Sequence, residues 1–199
     1  MRYEMLTLDV KLVGAGAALA GVKAREDGRL GSCWTTEIGE LNQNLTLAEF
    51  AHDATLQAER QKLFAKSNPL GAGAAIKEMR FETYAPFPWA PPPVAGSHGK
   101  VYEIRTYKLK HSGLNPTIAA WEAAMPRRSQ SSPLSLIRYA LDGAPHITQL
   151  WPCASLEVRA KARGDWVAAG AWQPKGGPDW LTGDMRSKIG LPAAFPPLS

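Results

Sequence analysis

The chain has 199 residues, 45% of them hydrophobic, enough for one large domain or two small ones with a real core. Its net charge of +5 comes from 23 basic and 18 acidic residues scattered along the sequence. The local concentrations at Arg127-Arg128 and at Arg159, Lys161 and Arg163 read as solvated helix faces, so nucleic acid is not an expected partner. No apolar run reaches about 18 residues, which excludes a spanning helix of ordinary length.

Arg2 to Lys11 alternates polar and apolar residues as a first strand does. The Ala/Gly segment from Leu12 to Ala24 follows as a helix weakened by Gly14, Gly16 and Gly21, and Glu26-Asp27-Gly28 ends it. Leu12 to Ala20 also has the look of a signal-peptide core, but Glu4 and Asp9 lie where a basic leader would stand, and a cytoplasmic protein is expected. Gly31 to Phe50 reads as a β-hairpin with its turn at Glu40-Leu41-Asn42. Ala54 to Lys66 is a helix with Asp53 as its expected N-cap. Asn68 to Ala75 is a loop, and Ile76 to Tyr84 is a fourth strand.

The segment APFPWAPPPVAGSHG, residues 85–99, carries five prolines and reads as a stiff linker, with the folded units at 1–87 and 101–199. Val101 to Lys110 (VYEIRTYKLK) is the clearest strand of the chain. Asn115 to Met125 forms a helix with Pro116 in its first turn and Ile118, Trp121 and Met125 on one face. Arg127 to Pro133 is a polar loop. Leu134 to Leu141 and His146 to Cys153 make a second hairpin turning at Asp142-Gly143. Ser155 caps a helix running to about Ala169, Gln173 to Pro178 is a loop, Trp180 to Ile189 is a last short helix or strand, and Pro192 to Ser199 is an extended tail.

Each half therefore has the order strand, helix, strand, strand, helix, strand. Tyr3-Glu4-Met5 matches Tyr102-Glu103-Ile104, Ala54-Thr55-Leu56 matches Ala154-Ser155-Leu156, and Tyr84-Ala85-Pro86-Phe87 matches Pro192-Ala193-Ala194-Phe195. A βαββαβ unit is ferredoxin-like, with helices on one face of a four-stranded sheet and the other face bare. The expected fold is α+β: two such repeats packed sheet to sheet as an intramolecular α/β barrel.

These residues carry a family resemblance. YEIRTYKLK (102–110), WTTEIGELNQ (34–43), SLEVRAKA (155–162), PKGGPDWL (174–181) and LPAAFPPL (191–198) resemble the successive motifs of the NIPSNAP family in the dimeric α/β-barrel superfamily, in two tandem copies covering nearly the whole chain. The chain departs from two identical copies at His146 to Trp151, which replaces a second LNQ turn, and at Cys153, which stands where the first copy has Phe50. The resemblance implies a protein of uncharacterised activity that binds a small apolar or aromatic molecule in its barrel. By superfamily analogy it also allows a cofactor-independent monooxygenase-like or haem-modifying enzyme. A third implication is a non-enzymatic adaptor, since animal members are linked to vesicle traffic and the marking of damaged mitochondria. An adaptor would present an apolar patch around Phe87-Pro88-Trp89, and that setting is expected less because no extended presequence precedes the first strand.

The residues themselves point to the barrel lumen as the pocket. On the strand at 101–110, Tyr102, Ile104 and Thr106 share one face, and Glu103, Arg105 and Tyr107 share the other. Glu103 and Arg105 either orient a ligand from the inner face or form an ion pair at the barrel rim. Glu37 acts as a base if it is buried beside Trp34, and otherwise is hairpin scaffolding with Asn42 and Gln43. His146 is a general base or a ligand to a metal or haem, or else a hydrogen-bonded structural residue; with Trp151 it completes the pocket candidates. His52, His98 and His111 form no ligand spacing, Cys33 and Cys153 no zinc spacing, and no Gly-rich phosphate loop joins a strand to a helix. No metal or cofactor is expected; a small-molecule ligand and self-association are.

Overall fold

The computed structural model describes residues 1–24, 30–94, 96–128, 136–168, 170 and 177–194. The expected stop at 26–28, the loops at 129–133 and 173–176, and the tail from 195 lie outside them. The elements are β1 (Arg2–Val10), α1 (Ala15–Lys23), β2 (Leu30–Ile38), β3 (Gln43–Phe50), α2 (Asp53–Phe64), a single 3-10 turn (Pro69–Gly71), β4 (Ile76–Pro86), β5 (Val101–Leu109), α3 (Leu114–Arg128), β6 (Leu136–Ala140), β7 (His146–Cys153), α4 (Leu156–Ala168), α5 (Gly177–Trp180) and β8 (Leu181–Pro192).

Each half has the ferredoxin-like strand order, β4-β1-β3-β2 in the first and β8-β5-β7-β6 in the second. The two sheets face one another and also join by their edges. Trp34 to Ile38 of β2 pairs with Ile189 to Pro192 of β8, and Tyr84 to Pro86 of β4 pairs with Arg138 to Ala140 of β6. The result is a closed barrel of eight strands. β1 and β5 run in the same direction, so one end of the barrel collects their C-termini and the other their N-termini.

Period-2 alternation sorts the side chains. Tyr3, Met5, Trp34, Leu45, Leu47, Tyr84, Tyr102, Ile104, Leu136 and Leu150 form one buried cluster inside the barrel. The opposite face packs under helices: Leu6, Leu8 and Cys33 meet Ala18 and Val22 of α1, and Tyr107, Ile137, Ile147 and Trp151 meet Trp121 and Met125 of α3. Cys33 and Cys153 are free and buried, and burial pushes the Cys33 thiol up to about 12.

The same charged clamp recurs outside both sheets. Glu4 of β1 is buried and accepts from Arg60 Nε of α2 at 2.8 Å, while Arg60 Nη2 donates to Thr83 Oγ1 at 3.0 Å. Glu103, its counterpart on β5, accepts from Arg159 of α4 and from Ser187 Oγ at 2.7 Å. Burial pulls the Glu103 carboxyl up, but Arg159, Arg105 and Ser187 together hold it below its ordinary value.

Several local expectations are corrected. His52, extended at φ −143°, occupies the N-cap of α2; Asp53 is the first helical residue and its carboxylate accepts instead from Arg2 Nε at 2.8 Å. Ser155 does cap α4, accepting from the Val158 amide at 3.3 Å. Helix α3 runs on to Arg128 with Pro126 inside it, three residues beyond the expected end. Gly21 of α1 serves close packing: a Cβ on it would lie 2.0 Å from the Leu70 carbonyl oxygen, whereas Gly16 faces open space. Register aligns Tyr3 with Tyr84 and Tyr102 with Gly190, so Tyr84 corresponds to Gly190, two residues earlier than the sequence match to Pro192 suggests. The start of the proline-rich segment is also not free. Phe87 is 1% exposed against Tyr139 and Trp89, and Trp89 Nε1 donates to the Ile118 carbonyl at 3.1 Å. The apolar patch that an adaptor would present there is consumed by the protein's own core.

Candidate functional site in the barrel lumen

At the end where β1 and β5 finish, the lumen opens into a cavity of about 780 Å³. Met5, Leu45 and Ile104 form its apolar floor; Thr7 and Thr106 stand on its wall; Asp9, Glu40, Gln43, Arg80, Glu82, Arg186 and Lys188 surround its mouth. The three acids and three bases at the mouth balance, and they hold one another. Arg80 pairs with Asp9 and lies 3.4 Å from Glu78. Gln43 Nε2 donates to Asp9 Oδ1 at 2.6 Å, and Lys188 Nζ donates to Glu40 Oε2 and Gln43 Oε1, both at 2.7 Å. The Lys188 hydrogen bond keeps Glu40 below its ordinary value.

Beside the cavity lies a polar relay. Tyr84 Oη is 3.0 Å from His146 Nε2, 3.1 Å from Glu82 Oε2 and 3.2 Å from Thr148 Oγ1, and Thr148 continues to Thr106 at 3.1 Å. His146 Nδ1 lies 2.8 Å from the Ala144 carbonyl, an acceptor, so Nδ1 carries a proton, and Nε2 faces the Tyr84 hydroxyl and lies 3.5 Å from Glu82 Oε1. Burial, reinforced by Glu82, raises the Tyr84 pKa, so the phenol keeps its proton at neutral pH. Glu82 and Thr106 also line the cavity, so this chain of groups connects the cavity wall to His146.

Deeper in the barrel the halves differ. The interior positions Leu45 and Thr148 correspond, because Tyr3 pairs with Glu49 and Tyr102 with Pro152. Leu45 pairs with Trp34 and Thr148 pairs with Arg138, which makes Trp34 and Arg138 counterparts. Trp34 lies on Tyr102 at 5.4 Å between ring centroids, and Arg138 Cζ lies 4.5 Å over the Tyr3 ring. Arg138 is wholly buried, and Nε, Nη1 and Nη2 find no hydrogen-bond acceptor among the described residues. An unpaired buried charge ordinarily costs several kcal/mol.

The sequence-derived candidates thus separate into three places. Trp34, Tyr102 and His146 face the lumen, and Gln43 stands at its mouth. Glu103, Arg105 and Trp151 are on the helix-covered outer face, Trp151 between Trp121 and Trp166 at 6.4 and 6.2 Å. Glu37 and Asn42 are exposed on the hairpin, Asn42 in the left-handed turn conformation at φ 57°, so the burial that would make Glu37 a base is not met. Asp9, Arg80, Glu82, Tyr84, Thr106, Arg138 and Thr148 were not singled out from the sequence. Their signal was parity with Met5 and Ile104 along each strand, and it becomes useful only once the inner face is known. Among the described residues, no group of three or more His, Cys, Asp or Glu is placed to hold a metal ion, and no helix is long and apolar enough to cross a membrane.

Two ferredoxin-like halves closing one barrel around a half-polar cavity define the class: an α/β barrel built within a single chain. Sequence comparison then places it: the chain belongs to the NIPSNAP family, whose sequence model matches residues 2–91 and again 102–197. Solved structures that match nearly its full length show the shared fold. An anthrone oxidase-like protein has a TM-score of 0.67 at 9% identity, covering 96% of this chain and 91% of that one. A candidate monooxygenase from Lactobacillus acidophilus NCFM has a TM-score of 0.63 at 9% identity, covering 96% and 93%. A NIPSNAP family protein of unknown function from Agrobacterium tumefaciens is 28% identical over 51% of this chain and 96% of its own, with a TM-score of 0.47. A search of curated proteins found no match.

Proposed function

We propose that the barrel binds a small aromatic or apolar molecule bearing a polar end. The observation that carries this reading is the 780 Å³ cavity, whose floor is Met5, Leu45 and Ile104 and whose mouth is charged but balanced. Its volume falls within the range of small-molecule sites, which pair apolar walls with a few fixed polar groups. Native mass spectrometry of freshly purified protein, compared with its denatured mass, tests it. A small molecule lost on denaturation is expected, and Ile104→Trp, which fills the floor, should abolish its retention. Equal retention by wild type and Ile104→Trp would exclude the cavity as the site.

A second reading is favoured by the relay of Tyr84, His146 and Glu82. A basic group joined to the wall of this half-polar cavity through Tyr84 and Glu82 could take a proton from an acidic aromatic substrate, preparing it for reaction with O2. The full-length likeness to an anthrone oxidase-like protein and a candidate monooxygenase lends this reading only a shared fold. Oxygen uptake with anthrone as the probe substrate, expected in wild type and lost in His146→Gln, tests it. No uptake by the wild type, or an unchanged rate in the variant, would remove this reading and leave binding.

A further inference from the structure

The duplication offers an internal comparison. In the first half the indole of Trp34 fills its place in the lumen, and Gly190 makes room for it: a Cβ there would lie 2.9 Å from Trp34 Cβ. At the equivalent place across the barrel the corresponding residues are Arg138 of β6 and Tyr84 of β4. One of two equivalent places is plugged by an apolar ring; the other holds a cation beside a hydrogen-bonding wall. A residue retained only to fill the barrel would have the character of Trp34. Instead, a guanidinium with five N–H groups is wholly buried with none of its three nitrogens satisfied.

Its neighbours do not explain it. Tyr3 and Tyr84 offer ring faces at 4.5 and 5.9 Å, which favour a cation but use none of its donors. Glu49 acts on Arg138 electrostatically without a hydrogen bond. Burial lowers the guanidinium pKa to about 9, with Tyr84, Tyr3 and Glu49 opposing, so the group remains a cation at neutral pH. Arg138 is not itself in the cavity lining; it covers Tyr3, the next inward residue on β1 after Met5 of the floor, and it pairs with Thr148, which is joined to Thr106 of the wall. Because the charges at the mouth balance, the unpaired cation beyond the floor sets the sign of the site.

We propose that Arg138 anchors an anionic oxygen of the barrel's ligand, a carboxylate, sulfonate, phenolate or enolate carried on an aromatic or apolar body lying along Met5, Leu45 and Ile104. The proposal rests on the reading of the cavity as a ligand site, and it names the class of ligand. A planar donor fork suits such an oxygen, and neither the Tyr84–His146 relay nor the rim supplies an unpaired cation in the interior.

Two fluorescent probes with the same ring system separate charge from shape: 1-anilinonaphthalene-8-sulfonate is anionic, and N-phenyl-1-naphthylamine lacks the sulfonate. Each is titrated into the full chain as wild type, Arg138→Met, Arg138→Lys and Ile104→Trp, with melting temperatures recorded alongside. Wild type should bind both saturably and Ile104→Trp neither. Arg138→Met should weaken the anionic probe by about tenfold or more, the size expected for one charge-assisted contact, and leave the neutral probe within about twofold. Arg138→Lys should recover part of the anionic affinity. Removing an unpaired buried cation should also raise the melting temperature of Arg138→Met. Equal affinity of wild type and Arg138→Met for the anionic probe, or a sharply lowered melting temperature, would overturn the anchor while leaving the cavity reading intact. If neither probe saturates the wild type, or Ile104→Trp binds both unchanged, the cavity reading fails and the anchor fails with it.

Discussion

Glu103→Gln is expected to lower the melting temperature by roughly 6–12 °C, from a loss of about 3 kcal/mol at about 2–4 °C per kcal/mol for a chain of this size. Glu103 is 5% exposed and lies against Arg105 (Nε–Oε1 3.8 Å), Arg159 and Ser187. Glutamine keeps the shape but leaves two guanidinium groups with no balancing charge on the outer face of β5. The pH dependence has a definite sign. The carboxyl is held below its ordinary value in the folded protein, so its stabilisation is complete above the unfolded pKa of about 4.3 and is lost as pH falls through the folded value. Wild type and Glu103→Gln should therefore differ most at neutral pH and converge toward pH 3. Thermal unfolding of both proteins at pH 7 and pH 3 checks this. A shift under about 2 °C at pH 7 would mean that the clamp contributes no more than an exposed ion pair.

Trp34→Ala is expected to cost about 3–5 kcal/mol, the range for emptying a buried tryptophan site. Trp34 is 1% exposed in the lumen, against Tyr102 and the Gly190 backbone, and its partners sit on strands of both repeats. Tyr102 and the Gly190 backbone are held by paired strands, so the surroundings have little freedom to collapse. Trp34→Phe should be far milder, because the indole N–H has no hydrogen-bond partner to lose. Denaturant unfolding of the three proteins measures both differences. Similar losses in the two variants would show that the site relaxes around the missing ring. The Ala variant should also bind the neutral naphthylamine probe more tightly, since it opens the plugged counterpart of the Arg138 site.

The residues of the sequence determined the repeat and most of its elements. Duplicated YEM and YEI strands, the Gly39 to Gln43 turn and the Ser155 cap act locally, and local rules read them. They could not determine which face of each strand was inside. On β5, alternation groups Tyr102, Ile104 and Thr106 apart from Glu103, Arg105 and Tyr107, but both sets are largely buried, one in the lumen and one under α4 and its neighbours. A strand covered on both sides carries no polar face to mark the exterior. For the same reason Glu103 and Arg105 were legible as a pair but not as an outer clamp, and Arg138 was legible as an arginine in LIRYA but not as an interior charge.

The internal repeat and the family resemblance together pointed to the two-copy barrel, but the difference between copies required register. The sequence aligned Tyr84 with Pro192, whereas strand pairing sets it against Gly190 and so sets Arg138 against Trp34. Hydrogen-bonded register depends on bulges such as the one between Leu30 and Ser32, which shift a strand by a residue without leaving a fixed mark in composition. Composition and period therefore determined what this chain is built from. Only the closing of β2 on β8 and β4 on β6 decided that its interior would be an apolar plug on one side and an unpaired cation on the other.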